Sequence, residues 1–148
     1  MDELPFIEAD DLTALFEYDE APGFKIRIKY VSPVELTQMF KRCKRIIFIK
    51  HQKDEQLNEE KYHEEVAGLI LGWEGLTPEI LGDLIPVKPE EMAQKEVSCT
   101  DEMKLKILKG AYNFSNFVVG AATALQAFQA ARRASIVKNS LRSPGGTE

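Results

Sequence analysis

With 148 residues, a net charge of −5, 44% hydrophobic and 29% charged residues, the chain can bury one core without metal or disulfide support. Its composition is that of neither a disordered nor a membrane protein. The mild acidity argues against a domain built around nucleic acid, which is more often net positive.

The acidic N-terminus "MDELPFIEADD" has neither the basic flank nor the apolar stretch of a signal peptide, so a cytoplasmic location is expected. In "FKIRIKY" Phe24, Ile26, Ile28 and Tyr30 alternate with Lys25, Arg27 and Lys29, the mark of a half-buried strand. Together with "LTALFEYD" and the turn-forming "EAPG" it predicts an antiparallel hairpin over about 12–31, its acidic arm facing the basic strand.

"SPVEL" reads as a capping box: Ser32 as N-cap, Pro33 at the first helical position and Glu35 three residues after the serine. A helix over about 33–50 follows, burying Leu36, Met39, Phe40, Cys43, Ile46 and Ile47. Its far end, "IIFIKHQKD", is β-branched and could be extended instead.

A second helix, 58–73, carries Tyr62, Val66, Leu69, Ile70 and Trp73 on one stripe, which makes Trp73 a core anchor. Gly75 is expected in the left-handed conformation that reverses the chain. Thr77 and Pro78 open a short helix, 77–85, which Pro86 and Pro89 stop.

The last helix is predicted over 99–137, capped by Ser98 or Thr100. Between Gly110 and Ala131 it has no charge. That span could cross a bilayer by length, but Asn113, Ser115, Asn116, Thr123, Gln126 and Gln129 argue against a membrane segment. The better reading is a helix packed on more than one side, with Phe114, Phe117, Val118, Ala121, Leu125 and Phe128 as its stripe and Gly120 open to another backbone. Its length suggests more apolar surface than one small domain can cover, and hence partner contact. The polar, glycine-rich tail, 139–148, is expected to be disordered. The expected fold is therefore α+β, mostly α: one hairpin, then a small helical bundle ending in a long helix.

Catalysis has no visible carrier. His51 and His63 lie in charged contexts that predict solvated side chains, "HEEVA" lacks the second histidine of a zinc helix, and no phosphate loop or serine elbow occurs. Cys43 and Cys99 read as reduced core thiols. Glu59, Glu60, Glu64 and Glu65 read as the wet face of a helix. The expectation is a protein without catalysis, metal or cofactor. In "KRCKR", Lys41, Arg42, Lys44 and Arg45 would form one basic helix face. It is a candidate electrostatic contact that suits a structural or protein-facing role better than nucleic acid, since no aromatics interleave it.

Three stretches, "GFKIRIKYVSPVEL", "AGLILGWEGLTPEIL" and "KLKILKGAYNFSNFVVGAA", resemble in order and spacing the tail assembly chaperones, and related small tail-gene products, of long-tailed bacteriophages and prophages. The resemblance covers about 20–130. It implies a cytoplasmic protein that binds the tape-measure protein, the tail-tube subunit or both, shielding their apolar helices until the tube polymerises. By this likeness Trp73 is scaffold, and Phe114, Phe117, Val118, Leu125 and Phe128 are the candidates for partner contact. Where many relatives carry a polar insert after "WEGLT", this chain has the compact "PEILGDLIP". A homo-oligomer is compatible with this reading. Two other readings remain: a structural tail component that stays in the virion, and a nucleic-acid-binding regulator.

Overall fold

The computed structural model describes residues 4–8 and 11–141. The expected hairpin forms β1 (Thr13–Glu17) and β2 (Lys25–Lys29), antiparallel, with Phe16 opposite Ile26 and Glu17 opposite Lys25. The acidic and basic arms thus meet at the turn, as the charge pattern predicts. Ile26 and Ile28 are fully buried while Lys25 and Arg27 are exposed, so the alternation of the sequence becomes the two faces of a sheet.

Helix α1 (Pro33–Arg42) opens with the predicted capping box: Ser32 Oγ accepts from the Glu35 backbone N–H at 3.2 Å, and Glu35 Oε1 accepts from the Ser32 N–H at 3.4 Å. It ends eight residues short of the expected 50. The β-branched "KRIIFI" instead forms β3 (Lys44–Ile49), paired antiparallel with β4 (Gln52–Leu57) in a separate two-stranded sheet. Lys50 (φ 51°) and His51 (φ 66°) make the two-residue loop between them. Neither is the asparagine or glycine that normally marks such a turn.

Helix α2 (Glu59–Ala67), capped by the Asn58 side chain, also stops early. The expected helix 58–73 divides at Gly68, and β5 (Ile70–Glu74) joins the first sheet on the free edge of β2, giving the order β1-β2-β5 with a bulge between Arg27 and Ile28. Trp73 is therefore a strand residue opposite Ile26. Gly75 has φ +77°, as expected of a chain reversal, but it closes a strand rather than a helix. Thr77 caps α3 (Pro78–Leu84) at the predicted position.

The single C-terminal helix is replaced by three: α4 (Asp101–Gly110), capped by Thr100; α5 (Phe114–Ala122); and α6 (Leu125–Leu141). The first break is at Asn113, left-handed at φ 65°, and the second at Thr123 and Ala124. Each break turns the uncharged run back toward the sheet, so its aromatics meet those of the strands. Residues 139–141 belong to α6, not to a disordered tail, and 142–148 lie outside the described residues.

The result is a mixed α+β fold, as expected in class, with a three-stranded sheet and a separate two-stranded sheet in place of a single hairpin. One face of the three-stranded sheet carries the core, where Ile26, Ile28 and Ile70 lie with Ile107, Phe114, Val118 and Phe128 from α4, α5 and α6. Helix α5 packs on β2, α4 and α2, while α6 packs on β1. The β3–β4 hairpin packs mainly on itself, and every residue in it except Ile47 is exposed.

Candidate partner-binding surfaces

The structure gives three of the five residues expected at a partner interface to the core. Phe114, Val118 and Phe128 are fully buried, Phe117 is half-buried, and only Leu125 is largely exposed, at 41%. Their rings belong to one aromatic network. Phe114 lies edge-on to Tyr18 at 5.2 Å and stacked on Phe24 at 6.1 Å, and Phe128 is edge-on to Phe16 at 5.4 Å and Tyr30 at 5.5 Å. Phe117 leans on Tyr18 at 4.8 Å. The expectation that this segment holds more apolar surface than its own domain can cover is thus overturned for Phe114 and Phe128, while Tyr112 stands 91% exposed. Likewise Gly120 faces open space and receives no backbone.

Trp73, expected as a core anchor on a helix stripe, packs against the edge of the core from strand β5. Its ring is half-buried, edge-on to Phe24 at 5.6 Å, and its Nε1–H donates to the Val97 carbonyl at 2.8 Å.

The basic cluster does not form one face. Lys41 and Arg42 end α1, whereas Lys44 and Arg45 begin β3 and point to opposite sides of the hairpin. Arg42 makes a two-pronged contact to Glu65, at 2.7 and 3.3 Å, and Lys61 joins the same carboxylate at 3.3 Å. Glu65 is therefore a buttress between α1 and α2 rather than part of a wet face, and its carboxyl is held below the usual range, chiefly by the Arg42 hydrogen bond. Lys44 pairs with Glu55 at 3.5 Å.

Both cysteines are free, Cys43 buried and Cys99 half-buried. Burial pushes both thiols up, which keeps them protonated and poorly nucleophilic. His51 stands exposed at the β3–β4 turn, while His63 is half-buried against Tyr62, contrary to expectation. Among the described residues no three His, Cys, Asp or Glu side chains gather as metal ligands, and no helix is long and apolar enough to cross a membrane.

Exposed apolar surface lies elsewhere. Helix α6 rests on β1 through Phe128 and Ala131, but from Arg132 to Lys138 every residue is exposed, including Ile136 and Val137. Between this distal half and β1 runs a cleft of about 560 Å³ whose apolar lining includes Leu15, Ala134 and Ile136 and whose charged lining is Asp11, Arg27 and Arg132. Leu125, Arg132 and Ile136 fall at helical spacing on one side of α6. Leu15 escaped the sequence reading because strand alternation puts it on the open face of the sheet, where an isolated leucine carries no signal. Ile136 and Val137 stand among bases and polar residues and read as tail. The second surface is the β3–β4 hairpin, where Ile46, Phe48, Ile49 and Leu57 are 47–73% exposed.

No protein-family model, curated protein or solved structure matches the chain.

Proposed function

We propose that this protein is a non-catalytic assembly factor of a long-tailed phage or prophage, acting in the host cytoplasm to bind the tape-measure protein, the tail-tube subunit or both. The reading rests on the three stretches that resemble tail assembly chaperones. The observation that carries it in the structure is the cleft between α6 and β1. A client helix laid there would cover Leu15 and Ile136, both of which the monomer leaves largely exposed, while Arg27, Arg132 and Asp11 would steer its charged flanks. The client surface is thus moved from the aromatics of α5 to the open side of α6, with Leu125 the one original candidate still facing outward.

Co-expression with the tape-measure protein encoded beside it tests the reading. A soluble complex that co-purifies is expected, together with scarcity of the protein in finished particles. Absence of both solubility rescue and co-purification would sink it, and a stoichiometric presence in purified particles would replace it with a structural tail component.

A further inference from the structure

We propose that the β3 edge of the projecting hairpin pairs with the β3 edge of a second copy, making a two-fold dimer through a continuous four-stranded antiparallel sheet. The inference uses a surface separate from the α6 cleft and stands whether or not the client is a tail protein.

A two-stranded sheet is marginal in water on its own, and this one has little packed against it. It nevertheless exposes Phe48 to 73%, Ile49 to 53% and Ile46 to 52%, and its turn places Lys50 and His51 at positive φ, a conformation uncommon outside glycine. Such a hairpin gains most from an added strand.

The ladder shows which backbone groups are available. Lys44 through Ile49 pair with Leu57 through Gln52, and just beyond them the Asn58 N–H donates to the Cys43 carbonyl. Bonded and non-bonded pairs alternate along an antiparallel ladder, so Cys43, Arg45, Ile47 and Ile49 turn their polar backbone groups toward β4. Those of Lys44, Ile46 and Phe48 point outward from the free edge.

Charge decides which edge self-pairs. The middle of β4 is Lys53, Asp54 and Glu55, and any two-fold register centred there sets a charge directly opposite its own copy, which is destabilising. The β3 edge has no such obstacle. Centred on Ile46, a two-fold register sets Ile46 against Ile46, Lys44 against Phe48 and Arg45 against Ile47 of the other copy, with no like charges opposed. Ile46 then exchanges backbone bonds with Ile46 of the other copy at the dyad, and Lys44 with Phe48 on either side of it. The Lys44 ammonium is already held by Glu55 on the same face, which leaves its aliphatic stem to lie along the partner's aromatic ring. A register moved one residue on, centred on Ile47, would oppose Lys44 to Lys50 of the other copy.

Sedimentation of the full chain over a concentration series tests this. The wild type is expected to move from monomer to dimer mass as concentration rises. Ile46→Lys, which puts two ammonium groups at the dyad while altering a side chain exposed in the monomer, is expected to remain monomeric with an unchanged thermal midpoint. Gln56→Lys on β4 is expected to dimerise like the wild type. Ile46→Cys is expected to give a disulfide-linked dimer on mild oxidation, mapped by mass spectrometry to position 46 in both chains, because the bonded-pair Cα separation of about 5.5 Å lies within disulfide reach. A wild type that stays monomeric at its highest soluble concentration overturns the proposal, as does an Ile46→Lys variant that dimerises undiminished. A chain that stays monomeric alone, and whose gain in mass with the tape-measure client is abolished by Ile46→Lys, would overturn the proposal and assign the edge to a client strand.

Discussion

Trp73 Nε1 donates to the Val97 carbonyl at 2.8 Å, tying strand β5 to the segment that leads into α4. The same strap is held by the Val97 N–H on Leu76 O and by the Gly75 N–H on Glu96 Oε1. Val97 is buried, so its carbonyl has little access to water once the indole is gone. Trp73→Phe keeps the edge-on contact to Phe24 but orphans that carbonyl, and should cost about 1–3 kcal/mol. Urea unfolding followed by circular dichroism measures the loss, and an unchanged midpoint would show that the strap is held by its backbone bonds alone.

Phe128 and Leu125 were candidates of the same kind in the sequence, and the structure separates them. Phe128→Ala should destabilise the fold by about 3–5 kcal/mol, since its ring is fully buried between Phe16 and Tyr30. Leu125→Ala should cost well under half of that, because the side chain is 41% exposed. Equal losses in thermal unfolding would contradict the position given to α6.

Gly75 combines φ +77° with an approach to the Gly23 carbonyl that leaves no room for a Cβ. Gly75→Ala should therefore lose more than about 1 kcal/mol, the scale of the backbone preference alone. At Gly72 an added Cβ meets nothing and φ is not positive, so Gly72→Ala should leave the chemical-denaturation midpoint near the wild type. The contrast between the two variants is the measurement.

Alkaline stability should reveal Tyr18. Burial, and then the negative charge of Glu20, push its phenol up to about 12. The folded chain thus keeps this proton to higher pH than the unfolded chain, whose tyrosine ionises near about 10. The contribution is complete below that value and is lost as pH rises through the folded one, so unfolding free energy should fall across this window, and less steeply in Tyr18→Phe. At the acid end the sign reverses. Glu65, held below its usual range by Arg42, contributes above the unfolded carboxylate range and is lost as pH falls through its lower folded value. Glu65→Gln should flatten that acid limb, and an identical limb in both proteins would deny the Arg42 contact a role in stability.

The parts of the fold legible in the sequence were those specified locally. The β1–β2 alternation, the Ser32 capping box, the Thr77–Pro78 helix start, the left-handed Gly75 and the Thr100 cap each depend on a few neighbouring residues, and each is present. What escaped depends on distant pairing. "ILGWE" continues the apolar stripe of α2, and only the free edge of β2 makes it a strand. "KRIIFI" hid its partner because "QKDEQL" is polar and the Lys50–His51 loop lacks the usual turn residues. The break that follows Gly110 turns on the left-handed Asn113, which a glycine inside an otherwise helical run does not announce, so Phe114 and Phe128 read as surplus surface when they are core. For the same reason five residues were read as one outward stripe when three of them, Phe114, Val118 and Phe128, are core.

The central claim is that a client occupies the cleft between α6 and β1. Its most direct test is the affinity of the co-expressed tape-measure client for the wild type and for Ile136→Asp, a substitution on an exposed stretch of helix that should leave the thermal midpoint unchanged. The account predicts a loss of about tenfold or more, which corresponds to roughly 1.4 kcal/mol. A client that binds Ile136→Asp as tightly as the wild type would contradict it.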